Sequence, residues 1–286
     1  MRLARPLAFA LAALLAACGK PAPQPPQPSP AIWEVTAPGG GKGWLFGTIH
    51  ALPDGYAWRT PAVTDALAQS GVLVVEIANL DDSAAASREF AARSTSAGLP
   101  PVLDRVALAD RAMLADALGD AGIDPASLAR TESWAAALML ANASAQATDT
   151  ANGVDRTLLE GGRPVVGLES FARQFDIFDR LAPADQSVLL TEAAKGDDGE
   201  ESALARAWIA GDLARLEQED RTGILADPEL RQALLVGRNQ DWAARITPLV
   251  DQGKRPFVAV GAGHMLGTDG LPALLAARGY AVRRLR

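Results

Sequence analysis

The sequence predicts an α/β fold with a central, mainly parallel sheet and a large helical insertion. Three observations lead there. Short apolar runs recur at 72–75 and 257–260, as expected of strands buried on both faces, and 164–168 is a further strand candidate. Long alanine- and leucine-rich stretches with apolar spacings of three and four separate them, which is helical periodicity. Strands alternating with helices imply a parallel sheet with helices packed around it. An all-helical fold with short buried segments is the competing arrangement.

The elements follow in order. Residues 32–35 alternate like a strand, a glycine turn follows at 39–41, and Trp44-Leu45-Phe46 runs into Gly47-Thr48-Ile49-His50. This pattern reads as a hairpin with a histidine at the end of its second strand. Residues 61–70 have helical spacing and stop at Gly71, a suitable C-cap. The strand at 72–75 ends at Glu76. Residues 81–146 form several helices, and 155–160 another that Gly161 and Gly162 end. The strand at 164–168 ends at Glu169, and a helix over 171–181 stops before Pro183, as the residue before proline disfavours helix. Helices fill 184–250, with tracts at 201–210 and 230–246. The strand at 257–260 leads into Gly261-Ala262-Gly263-His264, a helix spans 271–278, and 280–282 form a last strand after Gly279.

The chain has 286 residues, 49% of them hydrophobic and 21% charged, with a net charge of −7. That length buries a sizeable core. The negative charge repels phosphate and argues against nucleic acid as a partner. The single cysteine, Cys18, is informative by its position. Arg2 and Arg5 precede an apolar run at 7–17, the length of a signal core and too short to span a bilayer. The run ends Leu15-Ala16-Ala17-Cys18, which resembles the bacterial lipobox, whose cysteine is acylated and becomes the mature N-terminus. Residues 1–17 are then a signal peptide. Residues 18–30 are the lipidated cysteine and a proline-rich, extended linker, and 31–286 are the folded domain. Gly19 in place of aspartate implies, by the same resemblance, an outer-membrane lipoprotein facing the periplasm. An ordinary signal peptide is the alternative.

Four predicted strands end in an ionisable residue: His50, Glu76, Glu169 and His264. Ligands of open α/β sheets bind at the carboxyl ends of the strands, so parallel neighbours would gather these groups at one rim. The chain holds two histidines, and both close a G-x-x-H pattern. Gly47, Gly261 and Gly263 allow the backbone to bend or to approach a ligand closely. Two imidazoles with one or two carboxylates suit zinc, manganese, iron or cobalt. Such a metal would activate water while a second carboxylate acts as base. A metal-free site with a histidine base oriented by glutamate fits the same residues. H-E-x-x-H, G-x-S-x-G and P-loop patterns do not occur, which removes the commonest protease, esterase and nucleotide routes.

The segment Gly43-Trp44-Leu45-Phe46-Gly47-Thr48-Ile49-His50-Ala51-Leu52-Pro53 resembles the opening motif of the TraB/GumN family, which includes PrgY and the Tiki proteins. Val74-Val75-Glu76-Ile77 is similar to its early glutamate strand, and Gly167-Leu168-Glu169 with Gln174 to its central motif. Arg238-Asn239 with Trp242, and 258–267 with Gly270, Gly279 and Tyr280, complete the match from Trp33 to Leu285. Met265 stands where the family has leucine, a volume-conserving change. The resemblance implies a fold related to erythromycin esterases and to haem-binding ChaN-like proteins. It also implies a divalent-metal-dependent hydrolase like the Tiki proteases, a peptidase with a peptide or small-molecule substrate. In that site His50, Glu76 and His264 hold Mn, Co or Zn, Glu169 is base or fourth ligand, and Arg238 and Asn239 lie on a helix nearby. A binding protein for haem or a peptide signal, and a purely structural envelope protein, are the alternatives.

Overall fold

The structure is a computed structural model; it describes residues 28–49, 52, 56–145, 153–196 and 200–285. Cys18 and His50 lie outside the described residues, so the lipidation and the first-histidine expectations stand on sequence alone.

In chain order the strands are β1 (Ile32–Thr36), β2 (Lys42–Thr48), β3 (Val72–Ile77), β4 (Val165–Glu169), β5 (Pro256–Gly261) and β6 (Ala281–Arg284). The helices are α1 (Pro61–Gln69), α2 (Ser83–Ala91), α3 (Arg111–Asp120), α4 (Ser133–Ala145), α5 (Val154–Leu159), α6 (Phe171–Asp179), α7 (Pro183–Lys195), α8 (Glu200–Ala210), α9 (Leu213–Glu219), α10 (Pro228–Arg231), α11 (Gly237–Asp251) and α12 (Leu271–Ala277). The strands form one sheet in the order β4-β3-β5-β2-β1-β6. The first four are parallel to one another. β1 returns antiparallel beside β2, and β6 pairs antiparallel with β1. The four strands expected to end in ionisable residues are therefore the four parallel neighbours.

Both faces of the sheet are covered, which is why its parallel strands read as continuous apolar runs. On one face Trp44, Phe46, Leu73, Val75 and Phe257 pack against apolar residues of α1, α5 and α8. On the other, Leu45, Val74, Val258 and Val260 pack against Trp242, Ala243 and Ile246 of α11 and against α12. A third apolar cluster joins α3, α4 and α7 around the buried Trp134. This is the helical module expected between the strands, and it draws on both long insertions. Among the described residues no helix is long and apolar enough to cross a membrane.

One element departs from the sequence reading. The tract at 230–246 is not a single α-helix: α10 leads into a π-helical turn, Gln232–Val236, and then into α11. A π-turn takes up one extra residue and rotates everything after it, and such turns are common at functional sites.

Candidate functional site

The strand ends do meet. β3 and β5 are adjacent and parallel, with Val75 opposite Ala259, so Glu76 and Gly261 come out at the same rim. The Gly261 N–H donates to Glu76 Oε1 at 2.9 Å. On the far side β4 pairs Glu169 with Ile77. Directly after Glu169, Ser170 caps α6 by accepting from the Arg173 N–H, an exchange typical of a helix start. The abrupt strand-to-helix turn brings Gln174 over Glu76, whose Oε2 accepts from Gln174 Nε2 at 3.3 Å.

Arg238, in the first turn of α11, sits at the centre. Its Nε and Nη2 donate to Glu169 Oε1 and Oε2 at 3.1 and 2.9 Å, and Nη2 also donates to Glu76 Oε2 at 2.8 Å. Nη1 donates to the Leu234 carbonyl, in the π-turn, at 3.2 Å, and faces His264 Nε2 at 3.3 Å. A guanidinium has five N–H groups, and all five thus point at protein acceptors. Burial works against the Arg238 charge, but the hydrogen bonds and charges of Glu169 and Glu76 outweigh it and hold its pKa above the ordinary arginine value. The guanidinium also stacks over the Trp242 ring, 4.6 Å from its centroid, a cation–π contact.

Glu169 has a side chain with no solvent exposure. Besides the Arg238 fork, its Oε1 accepts from the Trp242 indole N–H at 3.0 Å. Expected as a base or fourth metal ligand, it is enclosed by Arg238 and Trp242, an arrangement that holds the arginine in place.

His264 follows β5 in a short 3-10 turn, Ala262–Met265, and is buried. Its Nδ1 lies 2.6 Å from Asn239 Oδ1. Asn239 is fully buried and its Nδ2 donates to the Asp269 carbonyl at 2.8 Å. With the amide nitrogen so engaged, Oδ1 is the acceptor and Nδ1 of His264 carries the hydrogen. Nε2 then bears the lone pair, matching its position before Arg238 Nη1. The imidazole packs on Trp242, with centroids 4.3 Å apart. One helix turn, residues 238–242, therefore fixes both carboxylates and the histidine.

The glycines of the two G-x-x-H segments also allow close packing. A Cβ at Gly47 would stand 3.0 Å from Ala262 Cα, so the first segment packs directly on the second. A Cβ at Gly263 would stand 3.0 Å from Asp220 Oδ1. At Gly261 an added Cβ would meet Glu76 Oε1 at 3.4 Å, an ordinary contact. The Trp208 indole N–H, from α8, also donates to the Gly47 carbonyl at 2.8 Å.

A cavity of about 370 Å³ opens beside Glu76 and Arg238. Leu80, Leu159, Ile177, Phe178 and Leu234 give it apolar walls, while Asp155 and Gln174 add polar groups. Asp155 was not singled out by the sequence, where it reads only as the start of α5. The Val154 N–H donates to the Ile49 carbonyl at 3.1 Å, which ties that helix to the residue just before His50.

Among the described residues no three His, Cys, Asp or Glu side chains are grouped to hold a metal ion. Glu76 and His264 are two donors of suitable chemistry, and the second-layer bond from Nδ1 to Asn239 is the kind that orients a ligating imidazole. No third such donor is grouped with them among the described residues. No curated protein and no solved structure matches the chain. The model of the TraB/PrgY/gumN family matches residues 31–284, nearly the whole chain. The paired G-x-x-H segments and the residues packed between them are thus those of a family member: the chain belongs to the TraB/PrgY/gumN family.

Proposed function

We propose that the chain is a divalent-metal-dependent hydrolase, acting on peptides, whose centre is built from His264, Glu76 and His50. The observation that carries this reading is the fixed tautomer of His264. Its Nδ1 hydrogen is committed to Asn239, so its Nε2 carries the lone pair, which faces Arg238 Nη1 at 3.3 Å; an ion bound there would take the place of that Arg238 contact. A divalent ion such as Mn²⁺, Co²⁺ or Zn²⁺ would there lower the pKa of bound water and polarise a carbonyl. The protein's own part is orientation. Gly261, Gln174 and Arg238 hold the Glu76 carboxylate in one position. Arg238 offsets the charge of Glu76 and Glu169. Glu169 serves the site through Arg238, as a positioning residue.

The chain would work at the outer membrane, facing the periplasm, anchored through an acylated Cys18. Mass spectrometry of the mature N-terminus, with Cys18→Ala as the comparison, tests the anchor. Metal analysis and peptide hydrolysis by the purified chain, with and without His50→Ala and His264→Ala, test the chemistry. Metal and hydrolysis should both be lost in either variant, and unchanged hydrolysis in both would overturn the reading. The apolar walls of the cavity favour a second reading, a protein that binds a peptide signal or haem and turns nothing over. It predicts a bound peptide without product, or a Soret band on haem titration that one histidine substitution removes.

A further inference from the structure

We infer that the outer edge of β4 is a docking strand for an extended stretch of a polypeptide substrate, a role that rests on the hydrolase reading above and says how its substrate is held. β4 stands at the end of the sheet order, with β3 on one side and no strand on the other. In a parallel ladder the N–H and C=O of one residue point to the same side, and successive residues alternate. Leu73 pairs with Val165, and its N–H donates to the Pro164 carbonyl. Pro164, Val166 and Leu168 therefore serve β3, while the N–H and C=O groups of Val165 and Gly167 point outward. On that side neither residue has a backbone partner among the described residues.

The two edges of the sheet are finished differently. β6, at the far end, carries Arg283 and Arg284, which reach Glu34 and the Gly211 carbonyl. Charged side chains on an edge deter the addition of another strand. The open stretch of β4, residues 165–167, is Val-Val-Gly and carries no charge. Val166 is 39% exposed there, and the first charge, on Glu169, belongs to a side chain without solvent exposure. Such an edge accepts an extended peptide through main-chain hydrogen bonds. Its length decides between a substrate and a second copy of the chain. Leu168 and Glu169 are already buried, and three open residues offer far less than the roughly 800 Å² per partner of a stable association. A substrate is held only transiently and gains further contacts at the rim. β4 ends at Glu169, whose Arg238 fork reaches Glu76, so a peptide lying beside β4 runs to the candidate site.

The experiment measures binding by calorimetry to the full chain in mild detergent. The probe is an octapeptide, blocked at both ends, in which valine and serine alternate between terminal lysines. With its valines on the Val166 side, its serine N–H groups face β4 and its valine N–H groups face solvent. N-methylation of the serines should weaken binding about tenfold or more, and N-methylation of the valines should leave it nearly unchanged. Val165→Pro removes an outward N–H and no bond to β3, a change that edge strands tolerate. It should abolish binding while the melting temperature stays near that of the unaltered chain. Equal effects of the two methylations, or no binding of the unmethylated peptide, overturn the inference, and neither result needs a variant to fold. A dimer that Val165→Pro dissolves overturns it as well, because a second copy would then occupy the edge. Binding with the expected methylation pattern, but no hydrolysis of any peptide with Mn²⁺, Co²⁺ or Zn²⁺, sinks the hydrolase reading and leaves the docking strand standing. Peptide hydrolysis that Val165→Pro leaves unchanged does the reverse.

Discussion

Arg238 grips Glu169 through two parallel hydrogen bonds, Nε to Oε1 at 3.1 Å and Nη2 to Oε2 at 2.9 Å. A bidentate fork of this kind fixes direction as well as charge. It converts a carboxylate at the end of β4 into the mount for a guanidinium that then reaches Glu76 on β3 and His264 after β5. The two residues act as one part.

Removing either partner should therefore be expensive. Arg238→Ala leaves Glu169 buried with only the Trp242 indole as partner, and breaking a buried pair typically costs about 3–5 kcal/mol. Urea denaturation of Arg238→Ala, Glu169→Ala and the double variant should show strong coupling, with the double variant costing clearly less than the two single losses added together. Simple additivity would show that the fork is not a unit.

The His264–Asn239 contact makes a prediction that needs no assay of activity. In the unaltered chain, nitrogen NMR should report His264 as the neutral form with hydrogen on Nδ1. Asn239→Leu removes the acceptor and leaves a buried donor unsatisfied, at a cost of about 1–3 kcal/mol. Arg238 Nη1 still faces Nε2 and favours the same tautomer, so the expected change is faster exchange of the Nδ1 hydrogen with solvent. If the proposed metal site is right, the same variant should lower metal affinity or hydrolysis by about 10–100-fold, the usual size of a second-layer effect. An unchanged exchange rate of that hydrogen would refute the role given to Asn239.

How much of this was legible in the sequence follows from sequence distance. The rim could be read, because a buried parallel strand is written as an apolar run that stops at its first ionisable residue, as at Glu76; β4 shows the same pattern at Glu169, although it is the edge strand and leaves Val166 exposed. The central arginine could not. Arg238 and Glu76 are 162 positions apart, and nothing local to either residue indicates the other; only family resemblance singled out Arg238. The π-turn was missed because one extra residue leaves apolar spacings of three and four nearly intact, so 230–246 reads as one helix. Asp155 was missed because an acid at a helix start has an ordinary explanation in the helix dipole. Its place in the cavity wall depends on how α5 docks, and that is set by contacts such as Val154 with Ile49.

The glycines of the two motifs should not be equally sensitive. Gly47→Ala would put a Cβ 3.0 Å from Ala262 Cα, backbone that cannot swing aside. Overpacking of that kind costs about 1–3 kcal/mol, and it would push the two G-x-x-H segments apart. Gly261→Ala meets only an ordinary contact with Glu76 Oε1 and should melt within a few degrees of the unaltered chain. Melting curves for both variants give the order directly, and a reversed order would mean that Gly47 is not where the segments touch.

The last prediction concerns Asp220, which packs behind Gly263 and pairs with Arg231 at 3.1 Å. Burial pushes the Asp220 carboxyl above its ordinary value, and the Arg231 hydrogen bond and charge offset this only in part. A carboxyl with a raised folded-state pKa binds more protons folded than unfolded between the two pKa values, so stability falls as pH rises through that window. The contribution is fully present below the unfolded value, about 3.9, and is lost once pH exceeds the raised folded value. Asp220→Asn mimics the protonated form at every pH. Its stability relative to the unaltered chain should therefore improve as pH climbs from about 3.5 toward neutrality. Denaturation curves at several pH values measure the gap. A gap that moves the other way would mean that Arg231 outweighs burial, and that the acid behind His264 is held there by its charge.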